Sequence, residues 1–239
     1  MFQIEVAGLM IRIENRFDYV RELCREYITL KPGPADLTIS ASAQEVRQET
    51  EKTADILISD EEAESVIIYE KISNALPAFD AFVMHSSVVA VDGKAYCFAG
   101  ACGVGKSTHT RYWKTVLGDR ATVINGDKPI YRFQNGQLLA YGTPWCGKEN
   151  WQKNTSAPLA AICLLARGEE NAVYPVDPFT LLGELSRNFH LPGDNQVNIA
   201  QLMELIDRMV TLIPVYRLRC RNDVSAAETA IAYFGLQEE

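Results

Sequence analysis

A mixed α/β fold is predicted for this chain, a sheet with both parallel and antiparallel neighbours plus a smaller α+β portion over residues 1–80, with residues 81–239 as the main unit. Three observations carry that expectation. Ser87–Val91 and Ala95–Ala99 alternate like strands around Asp92-Gly93, a dipeptide that favours a tight antiparallel hairpin. The second strand runs into Gly100-Ala101-Cys102-Gly103-Val104-Gly105-Lys106-Ser107, which matches G-x-x-x-x-G-K-[ST] at every fixed position. Finally, Pro158–Ala166 is a nearly continuous apolar run of the kind expected of a strand buried on both faces.

The remaining elements follow from periodicity and punctuation. Phe2–Ala7 alternates like an edge strand, Asp18–Glu26 suits a short helix, and Ala35–Ser40 alternates again after Pro32 and Pro34. From Gln44 to about Asp55 the chain is polar and charged, fitting a solvated helix or a connection; Glu61–Leu76 has helical spacing. These first eighty residues are expected to add strands to the main sheet or to form a flap facing the substrate. Ser107–Leu117 reads as a helix stopped by Gly118, and Arg120–Ile124 as a β-branched strand. Ile130–Phe133 and Leu138–Tyr141 flank Asn135-Gly136, a second hairpin signal. Val173–Val176 is a short return strand, Pro178–Asn188 and Ile199–Leu212 are helices, Val215–Cys220 is a strand, and Ser225 to Glu228 reads as a capping box opening the last helix.

The chemistry concentrates around the glycine-rich loop. Small residues from Gly100 through Gly105 let backbone N–H groups converge on phosphate oxygens, Lys106 can reach the β- and γ-phosphates, and the Ser107 hydroxyl can sit on Mg²⁺. Downstream, Asn125-Gly126-Asp127 closes a strand, and a carboxylate there can hold Mg²⁺ or accept a hydroxyl proton; by itself it is also an ordinary turn aspartate. His85 opens the strand leading to the loop and can orient Asp127 or an acceptor hydroxyl, or be structural. His109 reads as a base or ribose contact or as nothing at all, and His190 falls in a loop. Gly142 to Asn150 is dense in glycine, reactive and charged types; within it Cys146 and Lys148 are candidate contacts for acceptor or phosphate, with an exposed turn lysine as the alternative. Arg187, Arg217 and Arg219 are further positive charges, the last two on one strand face.

Residues 84 to about 150 resemble the catalytic core of HPr kinase/phosphorylase and, more distantly, ATP-dependent phosphoenolpyruvate carboxykinase. The resemblance is carried by His85 before the hairpin, by the loop Gly100–Ser107, and by a hydrophobic strand ending at Asp127. It departs at Gly126, where the first of two aspartates is expected, and at Thr108, where a glutamate usually follows Lys-Ser; Thr108 is similar to the carboxykinase loop. Cys146-Gly147-Lys148 resembles a carboxykinase active-site loop in place but not in spacing. The resemblance implies a carboxykinase-like core and an ATP-dependent, Mg²⁺-assisted kinase. Nucleotide would lie along Gly100 to Thr108, Ser107 and Asp127 would hold the metal, and Asp127, His85 and Lys106 would be catalytic. The acceptor would be a serine-like hydroxyl on a protein, peptide or metabolite, and assembly into homo-oligomers is implied. A nucleotide-binding regulatory protein, or an ATPase with water as acceptor, remains the alternative.

Composition narrows the partners. With 239 residues and 47% hydrophobic content the chain can bury a substantial core, and a net charge of −8 argues against nucleic acid. The six cysteines are scattered without metal-site spacing, as expected of reduced thiols in the cytoplasm. The sequence has no signal-peptide pattern and no apolar run of about 18 residues, so no membrane partner is expected.

Overall fold

The computed structural model describes residues 1–52, 58–193 and 195–237. The first two strands, β1 (Phe2–Val6) and β2 (Leu9–Glu14), form an antiparallel hairpin, and β3 (Leu37–Ser40) adds to β2 in parallel. Period-2 alternation buries Phe2, Ile4, Val6, Leu9, Ile11 and Ile13 on one face. This is a sheet of its own, so the described residues of 1–80 add no strand to the main sheet, contrary to one expectation from the sequence. Helix α1 (Asp18–Leu23) lies between β2 and β3, and α2 (Ala43–Lys52) occupies most of the polar stretch from Gln44; residues 53–55 of that stretch lie outside the described residues.

Helix α3 (Asp60–Ala75) opens on a complete capping box: Ser59 Oγ accepts from the Glu62 amide at 3.2 Å, while the Ser59 amide donates to Glu62 Oε2 at 2.8 Å. Its Ile67, Ile68 and Ile72 pack with the β1–β3 sheet in a cluster that also takes in Ala81, Val83 and Ile130 of the main sheet. Glu64 on this helix is fully buried because its carboxylate accepts the amides of Arg16 at 2.6 Å and Phe17 at 3.1 Å.

The main sheet begins with β4 (Ala81–Val83), β5 (Ser87–Val91) and β6 (Lys94–Ala99), followed by helix α4 (Lys106–Leu117) and β7 (Ala121–Asn125). Strands β8 (Ile130–Gln134), β9 (Gln137–Tyr141), β10 (Ser156–Arg167) and β11 (Ala172–Pro175) come next. The chain then forms α5 (Pro178–Leu185), α6 (Gln196–Leu212), β12 (Val215–Cys220) and α7 (Ser225–Tyr233). Spatial order is β4-β8-β9-β10-β6-β5-β7, with β12 on β10 and β11 on β12. Pairings β10·β6 and β10·β12 are parallel, whereas β5·β6, β5·β7, β8·β9 and β4·β8 are antiparallel, so the sheet is mixed.

Helices cover both faces. Trp113 and Leu117 of α4 pack with Ala227, Ala230 and Ile231 of α7 against Val89, Phe98 and Cys163, while Leu202, Leu205 and Met209 of α6 pack against the opposite face. Each fully buried Val, Leu, Ile, Phe or Met side chain among them contributes about 1.5–3 kcal/mol. At the start of α7 the expected capping box is absent. Ser225 is the first helical residue, and its amide and hydroxyl both turn to Asp223 Oδ1, the amide at 3.0 Å. No described helix is long and apolar enough to cross a membrane.

Candidate functional site

Strand β6 is buried from Ala95 to Ala99 and delivers the chain into the loop Gly100–Gly105 at the sheet edge where the parallel strands β10 and β12 also end. Gly100 has φ 137°, and a Cβ there would sit 3.1 Å from the Leu165 carbonyl of β10, so only glycine lets the loop leave so close to its neighbour. The Gly100 amide donates to Asn188 Oδ1 at 3.2 Å, and Arg167, at the end of β10, donates from Nη2 to the Gly103 carbonyl at 2.8 Å. Two distant side chains thus hold the loop at each end. Gly105, φ 115°, precedes α4, and no side chain caps the amides of that helix's first turn. Ser107 and Thr108 are half-buried there.

Lys106 is buried at 8% exposure, with Nζ folded back onto the carbonyls of Gly100 at 3.1 Å and Ala101 at 3.4 Å. Burial lowers its pKa, opposed by the Cys102, Asp127 and Cys97 side chains. Cys102 is exposed.

Asp127 is placed by a turn that Asn125 organises. Fully buried at the end of β7, Asn125 donates from Nδ2 to Thr143 O and Oγ1 at 3.1 Å and accepts the amides of Asp127 and Lys128 at 2.8 Å each. The Asp127 carbonyl accepts the Ser86 amide at 3.0 Å, so the turn also grips the segment carrying His85. His85 is positioned in turn by its own amide, which donates to Asn188 O at 2.6 Å, and its Nε2 pairs with Asp127 Oδ1. Burial alone would raise the Asp127 pKa. The hydrogen bond and charge of His85, with Lys128 and Lys106, outweigh it and hold the carboxyl below the ordinary aspartate value.

The segment after Gly142 runs past this carboxylate. Gly147, φ 79°, is the point of closest approach: a Cβ there would lie 3.1 Å from Asp127 Cβ. Cys146 is buried, and burial first, then Asp127, Glu149 and Glu26, push its thiol up to about 11, which keeps it protonated at neutral pH. Lys148 is exposed in the turn and has no ion-pair partner among the described residues. Gly126 has little room for a larger residue, since a Cβ would meet Cys146 O at 3.1 Å and Trp151 Cβ at 3.4 Å.

His109, open to a base or ribose contact or to no role, is 3% exposed, set edge-on to Phe98 at 4.7 Å, and accepts from Trp113 Nε1 at 2.9 Å, a core position that fits the second of those readings. Arg217 pairs with the Glu184 carboxylate through two bonds of 2.8 Å each. His190 does lie in a loop, against Asn74 at 2.9 Å. The sequence reading missed Asn125, Arg167 and Asn188; only Arg167, at the end of an apolar strand, carries a local signal.

The chemistry of the donor set suits magnesium. Among the described residues no three His, Cys, Asp or Glu side chains cluster to hold a metal. Magnesium, however, takes one or two oxygen ligands from protein and the rest from phosphates and water. Ser107 Oγ and the Asp127 carboxylate are hard oxygen donors of that kind.

The sequence profile of the family described as SynChlorMet cassette protein ScmC matches residues 44–225. No curated protein matches the chain. Among solved structures, the HPr(Ser) kinase/phosphatase from Coxiella burnetii matches at 13% identity with a TM-score of 0.37, over 64% of this chain and 96% of that one.

Proposed function

For this chain, which belongs to the SynChlorMet cassette protein ScmC family, we propose the function of a nucleotide-dependent phosphotransferase that moves the γ-phosphate of ATP to a serine-like hydroxyl on a protein, peptide or metabolite. One observation carries the reading. Asp127, held by the Asn125 turn and paired with His85 through Oδ1, shares a site with Lys106 and the loop Gly100–Gly105, close enough that Lys106 acts on its charge.

Bound magnesium would supply charge neutralisation on the β- and γ-phosphate oxygens, with Ser107 and Asp127 holding it. The chain's own groups do the rest. The loop amides from Ala101 through Thr108 bind phosphate oxygens, and Lys106 exchanges the Gly100 and Ala101 carbonyls for them. Because those carbonyls are neutral acceptors, the exchange for anionic oxygens is favourable for a half-desolvated ammonium. Asp127 is ionised at neutral pH, its Oδ1 occupied by His85 and its Oδ2 left to take the acceptor's proton or a metal. Transfer through a loose transition state asks mainly for positioning and charge, so a weak base suffices. Cys146 lies near the carboxylate as a neutral wall, and Lys148, exposed two residues further on, is a charge available to an acceptor or phosphate.

Gly126 favours a second reading. With one acid where the kinases it resembles carry two, the site also suits nucleotide binding or hydrolysis without an acceptor. Incubation with γ-labelled ATP, Mg²⁺ and a cell extract separates the two. Label on a protein or small molecule, lost in Lys106→Ala, supports transfer; ADP and free phosphate alone support hydrolysis. Equal label transfer by the Lys106→Ala protein contradicts both.

A further inference from the structure

Beside the loop, on the side away from Asp127's turn, lies a cavity of about 350 Å³ that shares the loop as one wall and has no role yet. Its position follows from topology. Strands β6, β10 and β12 run parallel in register, Ala99 level with Leu164 and Leu164 with Arg217, so the turns after all three open on one edge. Ligands of such sheets bind outside the carboxyl ends of the strands. The loop after β6 gives one wall through Gly103, Val104 and Gly105, the end of β10 gives Arg167, and the turn after β12 gives Arg221 and Asn222. The second turn of α4 adds Tyr112.

The side chains there have complementary characters. Tyr112 is half-buried, and its hydroxyl donates to the Asn222 carbonyl at 3.4 Å, which fixes an aromatic ring at the cavity wall. The Asn222 amide side chain has no hydrogen-bond partner among the described residues, leaving one donor face and one acceptor open. Arg167 and Arg221 place two positive charges at the rim of a chain whose net charge is −8. Arg167 bonds the loop at Gly103, and Arg221 is steadied by Asp223 at 3.4 Å. A ring to stack on, an amide able to read a donor–acceptor edge, and flanking cations describe a site for a heteroaromatic base carrying an anionic tail.

We propose that this cavity takes the nucleoside end of the nucleotide, with the base stacked on Tyr112 and its edge read by Asn222. Arg167 and Arg221 lie toward the phosphates. The assignment rests on the reading of Gly100–Lys106 as the phosphate site, because the same loop residues wall the cavity. It makes Tyr112 and Asn222 specificity-determining residues for a reaction whose phosphate chemistry lies elsewhere.

Calorimetric titration of the full chain with Mg-ATP and with Mg-tripolyphosphate, which has the phosphates but no nucleoside, tests this. The wild-type protein is expected to bind ATP at least tenfold tighter than tripolyphosphate. Tyr112→Ala and Asn222→Ala should each weaken ATP by roughly tenfold and leave tripolyphosphate unchanged, with Tyr112→Phe keeping wild-type affinity. Asn222 is exposed, so its variant has no folding penalty to confuse the result. Equal affinity of the wild type for both ligands, or ATP binding untouched in both alanine variants, overturns the inference while leaving the phosphate reading standing. Failure of both ligands to bind wild type removes the phosphate reading and this inference together.

Discussion

Trp113 and His109 lie one turn apart on α4, and the indole Nε1–H of Trp113 donates to His109 Nε2 at 2.9 Å inside the core. The acceptor role puts the ring proton on Nδ1 and keeps the imidazole neutral. Burial pushes its pKa from 6.5 down to about 3. Protonation would cost both the hydrogen bond and a buried charge.

The unfolded chain binds a proton at His109 near pH 6.5 and the folded chain does not until about pH 3. The contribution to stability is therefore complete above 6.5 and falls as pH drops through that window, by about 1.4 kcal/mol per unit. Urea midpoints measured from pH 7.5 to 4.5 should show roughly 3 kcal/mol of loss that a His109→Gln protein, which keeps an acceptor but does not titrate, lacks. Parallel slopes in the two proteins would refute the assignment.

Removing the ring of His85 should move the Asp127 titration upward. In His85→Ala the leading downward influence on that carboxyl is gone while burial remains, so its pKa rises. Carboxyl-carbon NMR reads this directly, and the acidic limb of any transfer rate should move to higher pH with it. A loss of about 10–100-fold in rate is expected at neutral pH. An unshifted Asp127 signal would show that the pair does not set its charge.

Restoring an acid at position 126 should fail. Gly126 packs with 3.1 Å between a would-be Cβ and the Cys146 carbonyl, a backbone atom that cannot swing away. Gly126→Asp should cost about 1–3 kcal/mol of stability and bring no gain in nucleotide affinity. Unchanged thermal stability together with tighter Mg-ATP binding would show that the turn can admit a second acid.

Asn125→Ala should be as damaging as a core truncation although it deletes no apolar surface. It leaves the amides of Asp127 and Lys128 and the buried Thr143 carbonyl without their partner, at a cost of about 2–3 kcal/mol. Denaturant midpoints measure the loss; a variant as stable as the parent would mean water replaces the amide without penalty.

Local signals made much of this architecture readable. Asp92-Gly93 and Asn135-Gly136 both adopt φ near 49° and 78°, the left-handed pair that such dipeptides favour, and both sit in the expected hairpins. Strand β2 alternates as regularly as β1, but its turn, Ala7-Gly8, places an alanine at φ 51°, a choice that no turn propensity flags. The capping box was misplaced for a related reason: Ser225 and Glu228 have the right spacing, yet Asp223, two residues earlier, competes for the Ser225 amide and wins.

In the site, the loop motif was legible because its chemistry is contiguous. The side chains that hold it were not. Asn188 reaches the Gly100 amide across 88 residues and Arg167 reaches Gly103 across 64, contacts that exist only once β10 lies beside β6. His109 stays ambiguous in sequence for the converse reason: its place one turn into the loop helix allows a ligand contact, whereas the helix face it shares with Trp113 turns inward.

The central claim is that the loop from Gly100 to Lys106, with Asp127, binds a nucleoside triphosphate and its metal. Titration calorimetry with ATP in the presence of Mg²⁺, on the wild-type chain and on Lys106→Ala, tests it most directly. The account predicts saturable binding by the wild type that weakens at least a hundredfold in Lys106→Ala. It is contradicted by a wild-type chain that takes up no nucleotide, or by a variant that binds as tightly as its parent.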